Sequence, residues 1–118
     1  MWDRDPITIR MQGEVIGTSL TLHTEPVRRG EVWTVDQVAV STDNTEGCYA
    51  TLYVDDGNRL TAVETITLTA ADLWWAFEAL PVTLLSDYRL AIEFAGLSAG
   101  DVVRANVHAY TRAPYTSP

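Results

Sequence analysis

Catalysis in a chain of 118 residues needs a nucleophile, a base or a metal at usable spacing, and few residues here qualify. Cys48 is the one cysteine, so neither an internal disulfide nor a zinc cage can form. Cys48, Ala50, Leu52 and Val54 alternate with Tyr49, Thr51 and Tyr53. That alternation places the thiol on the apolar face of a strand, where burial raises its pKa and keeps it inert. His23 falls at the end of one expected strand and His108 on the polar face of another, without HExxH or paired-ligand spacing. No glycine-flanked serine elbow, phosphate-cradling loop or dinucleotide fingerprint occurs. The expected chemistry is not enzymatic, with no catalytic residue, no cofactor and no metal site.

The carboxylates nearest the Cys48 strand fall into two groups. Asp43 and Glu46 precede the strand 48–55, and Asp55 and Asp56 end it. At ~3.4 Å per residue the two groups stand roughly 25 Å apart, too far for one acid–base site. Asp55, Asp56 and Asn58 have the oxygen chemistry of calcium ligands. Ordinary turn chemistry explains the same residues.

Aromatic residues offer the stronger lead. Trp74, Trp75 and Phe77 form a hydrophobic knot, and adjacent tryptophans in regular structure point different ways. Tyr49 and Tyr53 lie opposite the core set of their strand, Tyr110 and Tyr115 come late, and Trp2 stands near the start. Tyr and Trp pair large apolar area with a polar handle, which suits interfaces. These eight are the candidate interface residues. Core and rim packing is the competing explanation, and sugar stacking a third.

Fifteen threonines and twelve valines favour β structure. The pattern predicts an all-β, antiparallel sandwich of about eight strands, jelly-roll-like, over 7–11, 15–23, 31–41, 48–55, 60–68, 80–85, 88–95 and 102–110. Leu90, Ile92 and Phe94 share one face, as do Val103, Ala105, Val107 and Ala109. In the third strand Trp33 and Val35 are odd while Val38 and Val40 are even. One extra residue near Asp36-Gln37 restores a single inward face, which predicts a β-bulge there. Asp55-Asp56-Gly57-Asn58 reads as a tight turn, and Ser98-Ala99-Gly100-Asp101 links the last two strands. Thr69 followed by Asp72 suggests a short helical turn near 70–78. A single domain is expected over 1–118, with a short arm at about 1–6 and a loose tail at about 111–118.

The net charge is −8, divided as −2 over residues 1–40, −6 over 41–80 and 0 over 81–118. An acidic middle repels phosphate, so nucleic-acid binding is not expected. All eight basic residues are arginine. The opening MWDRDPITIR is incompatible with a signal peptide, and the longest uncharged run is about half of a membrane span. A soluble chain without a membrane partner is the expectation.

The run Gly30-Glu31-Val32-Trp33-Thr34-Val35-Asp36-Gln37-Val38-Ala39-Val40-Ser41 is followed by Ala50-Thr51-Leu52-Tyr53-Val54 and Leu80-Pro81-Val82-Thr83-Leu84. Leu90-Ala91-Ile92-Glu93-Phe94-Ala95-Gly96 comes after them. Across roughly 26–110, this order resembles small β-sandwich virion structural proteins, capsid decoration or tail components, of tailed actinobacterial bacteriophages. The Leu73–Phe77 insert departs from that pattern. The resemblance implies a non-enzymatic structural protein of the virion, assembled in the host cytoplasm and most naturally decorating or stabilising the capsid. Its partners would be other virion proteins, capsid or tail subunits, together with further copies of itself, a trimer being one arrangement. The alternative is a tail-associated or host-attachment carbohydrate-binding module with Trp74, Trp75 or Tyr53 as stacking platforms.

Overall fold

The computed structural model describes residues 5–112. It contains nine antiparallel strands: β1 Asp5–Glu14, β2 Ser19–His23, β3 Val32–Thr42, β4 Cys48–Asp55, β5 Leu60–Leu68, β6 Trp75–Ala76, β7 Val82–Leu84, β8 Arg89–Ala95 and β9 Val102–Arg112. One sheet runs β1-β9-β3, with β6 and β7 both paired to the free side of β3. β7 lies beside Trp33–Val35 and β6 beside Ala39–Val40, so the two share one lane. The second sheet runs β2-β8-β4-β5. The chain changes sheet at every connection except β4–β5 and β6–β7. Nine strands thus fill eight lanes in the strand order of a jelly-roll sandwich.

The alternation in the sequence becomes the core. Val103, Ala105, Val107 and Ala109 of β9 are fully buried, facing Leu90, Ile92 and Phe94 of β8 and Cys48, Ala50 and Leu52 of β4. Each such Val, Leu or Phe contributes about 1.5–3 kcal/mol through burial. The bulge falls where the pattern slips: Val35 pairs with Ala109 and Gln37 with His108, leaving Asp36 as the extra residue. Trp33, Val35, Val38 and Val40 are consequently all buried.

Three expectations change. No helix forms near 70–78. Asp72 takes a left-handed φ of 61°, which a right-handed helix cannot continue, and its N–H donates to the Thr42 carbonyl at 2.8 Å. Trp75-Ala76 then becomes strand β6. The expected strand 15–23 divides, because β1 continues to Glu14 and the chain crosses to the other sheet before Ser19. Val15 fills the core from that crossing, its N–H donating to the Asp101 carbonyl and its carbonyl accepting from Gly100. The strands also reach further than expected, to Asp5 and Arg112, so positions 5, 6, 111 and 112 belong to the ladder rather than to arms.

Candidate functional site

β1 and β2 are the edge strands of the two sheets on one side of the sandwich. At one end they close together. Gly13 has no side chain, and Leu20 Cδ2 occupies the space 2.5 Å from where a Cβ would stand. Toward the other end they part. Ile7, Ile9 and Met11, the inward face of β1, are only half-buried there and line a groove of about 520 Å³ with Trp33. His23, Glu25, Arg28 and Glu31 contribute both charge signs to the lining, and Thr111 of β9 joins them. Trp33 is 9% exposed, and its Nε1–H has no acceptor among the described residues. The far side of β1 also has no partner strand among the described residues. The outward N–H and C=O groups of alternate β1 residues, unpaired among the described residues, beside a half-covered apolar face invite pairing.

The acidic turn lies at the same end and is committed to its own backbone. Asp55 Oδ1 accepts from the Gly57 N–H at 2.8 Å, and its Oδ2 pairs with Arg89 Nε at 2.9 Å. These contacts, the Gly57 N–H foremost, hold the Asp55 carboxyl below its ordinary range. Asp56 Oδ1 accepts from both Asn58 and Arg59 N–H groups, which lower its pKa likewise. Gly57 supplies the φ of 95° that the turn requires. Turn chemistry accounts for these carboxylates.

Asp43 and Glu46 stand at the opposite end of β4, as the sequence spacing required. Tertiary structure brings Asp101 to them. The Asn44 amide donates to Asp101 Oδ2 at 2.7 Å, its Oδ1 accepts from Glu46, and Asp43 Oδ1 accepts from Val102. No group of three or more metal-ligating side chains occurs among the described residues.

The aromatic candidates do not gather in one patch. Tyr49, 55% exposed, and Tyr53, half-buried, lie on the outer face of the β2-β8-β4-β5 sheet. Tyr110 is on the outer face of the other sheet, edge-on to His108 with centroids 5.1 Å apart. Phe77 is buried in the core, and Trp75, beside Val40, packs against that core from the edge lane. Trp74 turns the other way and is 49% exposed. It lines a cleft of about 300 Å³ with Arg10, Gln12, Arg104 and Asn106. Trp2 and Tyr115 lie outside the described residues.

Sequence reasoning missed the groove, the four polar residues around Trp74, and Glu64. Glu64 Oε1 accepts from the Glu78 and Ala79 N–H groups at 2.7 and 2.8 Å, which ties β5 to the segment after β6. The alternation Ile7, Ile9, Met11 against Thr8, Arg10, Gln12 was visible, but nothing local says that this strand lies at an edge.

No family model matches the chain, and no curated protein sequence matches it significantly. Solved structures do match. One from Bacillus endospore appendages, which form a family of disulfide-linked pili, has a TM-score of 0.56 at 15% identity over 98% of this chain and 92% of its own. A CBM4 structure gives 0.41 at 11% identity over 84% and 78%. The CBM36-1 domain of a multidomain xylanase from the hindgut metagenome of Trinervitermes trinervoides gives 0.39 at 9% over 96% and 100%. At 15% identity the likeness to the endospore-appendage structure is one of fold alone.

Proposed function

We propose that this chain is a non-enzymatic structural subunit that assembles copy to copy, the groove between β1 and β2 receiving residues 113–118 of a neighbour. The observation that carries this reading is the half-covered apolar face of Ile7, Ile9 and Met11 beside an edge strand with no partner among the described residues. Thr111, beside the last described residue, lines the groove. Six extended residues reach about 20 Å, more than the roughly 14 Å from Ile7 to Met11 along β1. β9 runs antiparallel to β1 and at Thr111 has reached Asp5, heading away from Met11, so entry into the chain's own groove requires a reversal that a neighbour's groove does not. Tyr115 supplies an aromatic side chain for an apolar cleft of this kind.

The setting suggested by the sequence resemblance is the surface of a tailed-phage particle, with capsid decoration as the role. Symmetric copies on a lattice convert weak contacts into high avidity. The fold shared with an endospore-pilus structure is in keeping with assembly, although the chemistry here differs. Cys48 is buried and is the only cysteine, so assembly through this fold would be non-covalent.

Sedimentation of the full chain, of a chain ending at Arg112 and of Ile9→Glu tests the groove. The full chain should associate with rising concentration while both variants remain near 13.1 kDa with intact thermal transitions. A full chain that stays monomeric overturns the reading, as does a shortened chain that still associates. A shortened monomer that melts markedly earlier shows the segment filling its own groove, which also overturns it. For the particle setting, mass spectrometry of purified virions should find many copies; recovery from host cytosol alone rejects it.

A further inference from the structure

The pairing register explains how the cleft around Trp74 is built. Arg10 on β1 pairs with Asn106 on β9, which pairs with Ala39 on β3, which pairs with Ala76 on β6. The next outward row holds Gln12, Arg104 and Ser41. Trp74 precedes Ala76 by two residues, so it stands at the end of that second row. Two guanidinium groups and two primary amides therefore lie side by side on one sheet face with an indole at their border.

Among the described residues none of these groups is spent internally. Arg10, Gln12, Arg104, Asn106 and Trp74 make no side-chain hydrogen bond or ion pair among the described residues. No acidic side chain lines the cleft. Glu14, two residues beyond Gln12 on the same outer face of β1, stands diagonal to Arg104 without forming an ion pair with it, and against its single charge the two arginines leave room for an anion from outside. Planar forks suit a carboxylate, which a guanidinium grips with two parallel hydrogen bonds. Amides bind adjacent hydroxyls as both donors and acceptors. The exposed indole provides a flat apolar surface for a ring. A cleft of about 300 Å³ fits a small ligand or short oligomer. A protein partner would need about 800 Å² of surface.

We infer that this cleft is a binding site for acidic saccharides, the indole of Trp74 stacking on a sugar ring while Arg10 and Arg104 hold its uronate carboxylate. Gln12 and Asn106 read the neighbouring hydroxyls. The site lies on the outer face of its sheet and works independently of the groove between β1 and β2.

The test is an array of oligosaccharides containing galacturonate, glucuronate, mannuronate or guluronate, alongside the neutral cellotetraose, followed by titration of tryptophan emission with the best binder. Binding of at least one uronate is expected, weakened ~10-fold or more by Arg104→Gln, the scale of one lost hydrogen bond to a charged group. Trp74→Ala should weaken it comparably, whereas Tyr53→Ala, on the opposite sheet, should leave it unchanged. Thermal melting of the variants confirms that the fold is kept. Equal binding of cellotetraose overturns the inference, and so does a uniform lack of uronate binding. An equal emission response to inorganic phosphate alone reduces the cleft to a simple anion site and overturns it too.

Discussion

His108 Nδ1 lies 2.6 Å from Asp36 Oδ1, and Asp36 is the residue that the β3 bulge leaves without a partner on β9. The extra residue is thus pinned across the ladder by the side chain of the neighbouring strand. Its function in the fold is to change the parity of β3, so that two odd and two even positions face the same core. The His108 ring is held in turn by Tyr110, nearly perpendicular at 88°. Local sequence and long-range pairing meet at this one contact.

Removing Asp36 should be tolerated, because Trp33, Val35, Val38 and Val40 then alternate without interruption. Removing Ala39 should not, because Val40 would turn outward. Asp36→Ala, which breaks a contact between half-exposed groups, should cost only about 0.5–1 kcal/mol, or roughly 2–6 °C in melting temperature. Thermal melts of the three variants decide the matter: an Ala39 deletion as stable as the Asp36 deletion would sink this account of the bulge.

Acid should loosen both ends of the sandwich. The Gly57 N–H and Arg89 hold Asp55 below its ordinary carboxyl value, and the Asn44 amide and Ser98 N–H do the same for Asp101. A carboxyl with a depressed folded pKa binds protons more weakly folded than unfolded. Its contribution is therefore complete above the ordinary value of 3.8 and is lost as pH falls through the folded value. Urea midpoints measured from pH 6 to pH 3 should decline, less steeply in Asp55→Asn. An identical slope in the variant counts against this assignment.

Cys48 should resist modification in the native protein. Burial pushes its thiol pKa up, and the negative charge of Asp101 adds to the effect. Reaction with a chromogenic disulfide reagent at pH 8 should be slow and should accelerate with urea as the fold opens. Oxidation of the native protein should yield no disulfide-linked dimer. Prompt native reaction would show the thiol to be accessible.

The sandwich was legible because its signals are local. Leu90, Ile92 and Phe94 announce an inward face within five residues, and Asp55 to Asn58 encode a turn through their own side chains. The region 70–78 misled for an equally physical reason. Thr69 and Asp72 carry helix-start chemistry, but Asp72 donates its N–H to Thr42 across the fold, and tertiary contact overrode propensity. The aromatic candidates were legible as a set and not as places. Adjacent tryptophans had to diverge, yet only the pairing of Trp75 with Val40 shows which of them packs against the core.

The strand class, the inward faces, the parity change at Asp36 and the inert position of Cys48 are all encoded locally. Each follows from period-two patterning or turn chemistry, which a few consecutive residues contain in full. That β1 and β2 are edges, and hence that a groove opens between them, emerges from the assembled sheets. The same assembly places Arg10 and Arg104, from opposite ends of the chain, together beside Trp74. The reason is that lateral strand order arises from pairing between distant segments, about which the alternation within any one strand carries no information.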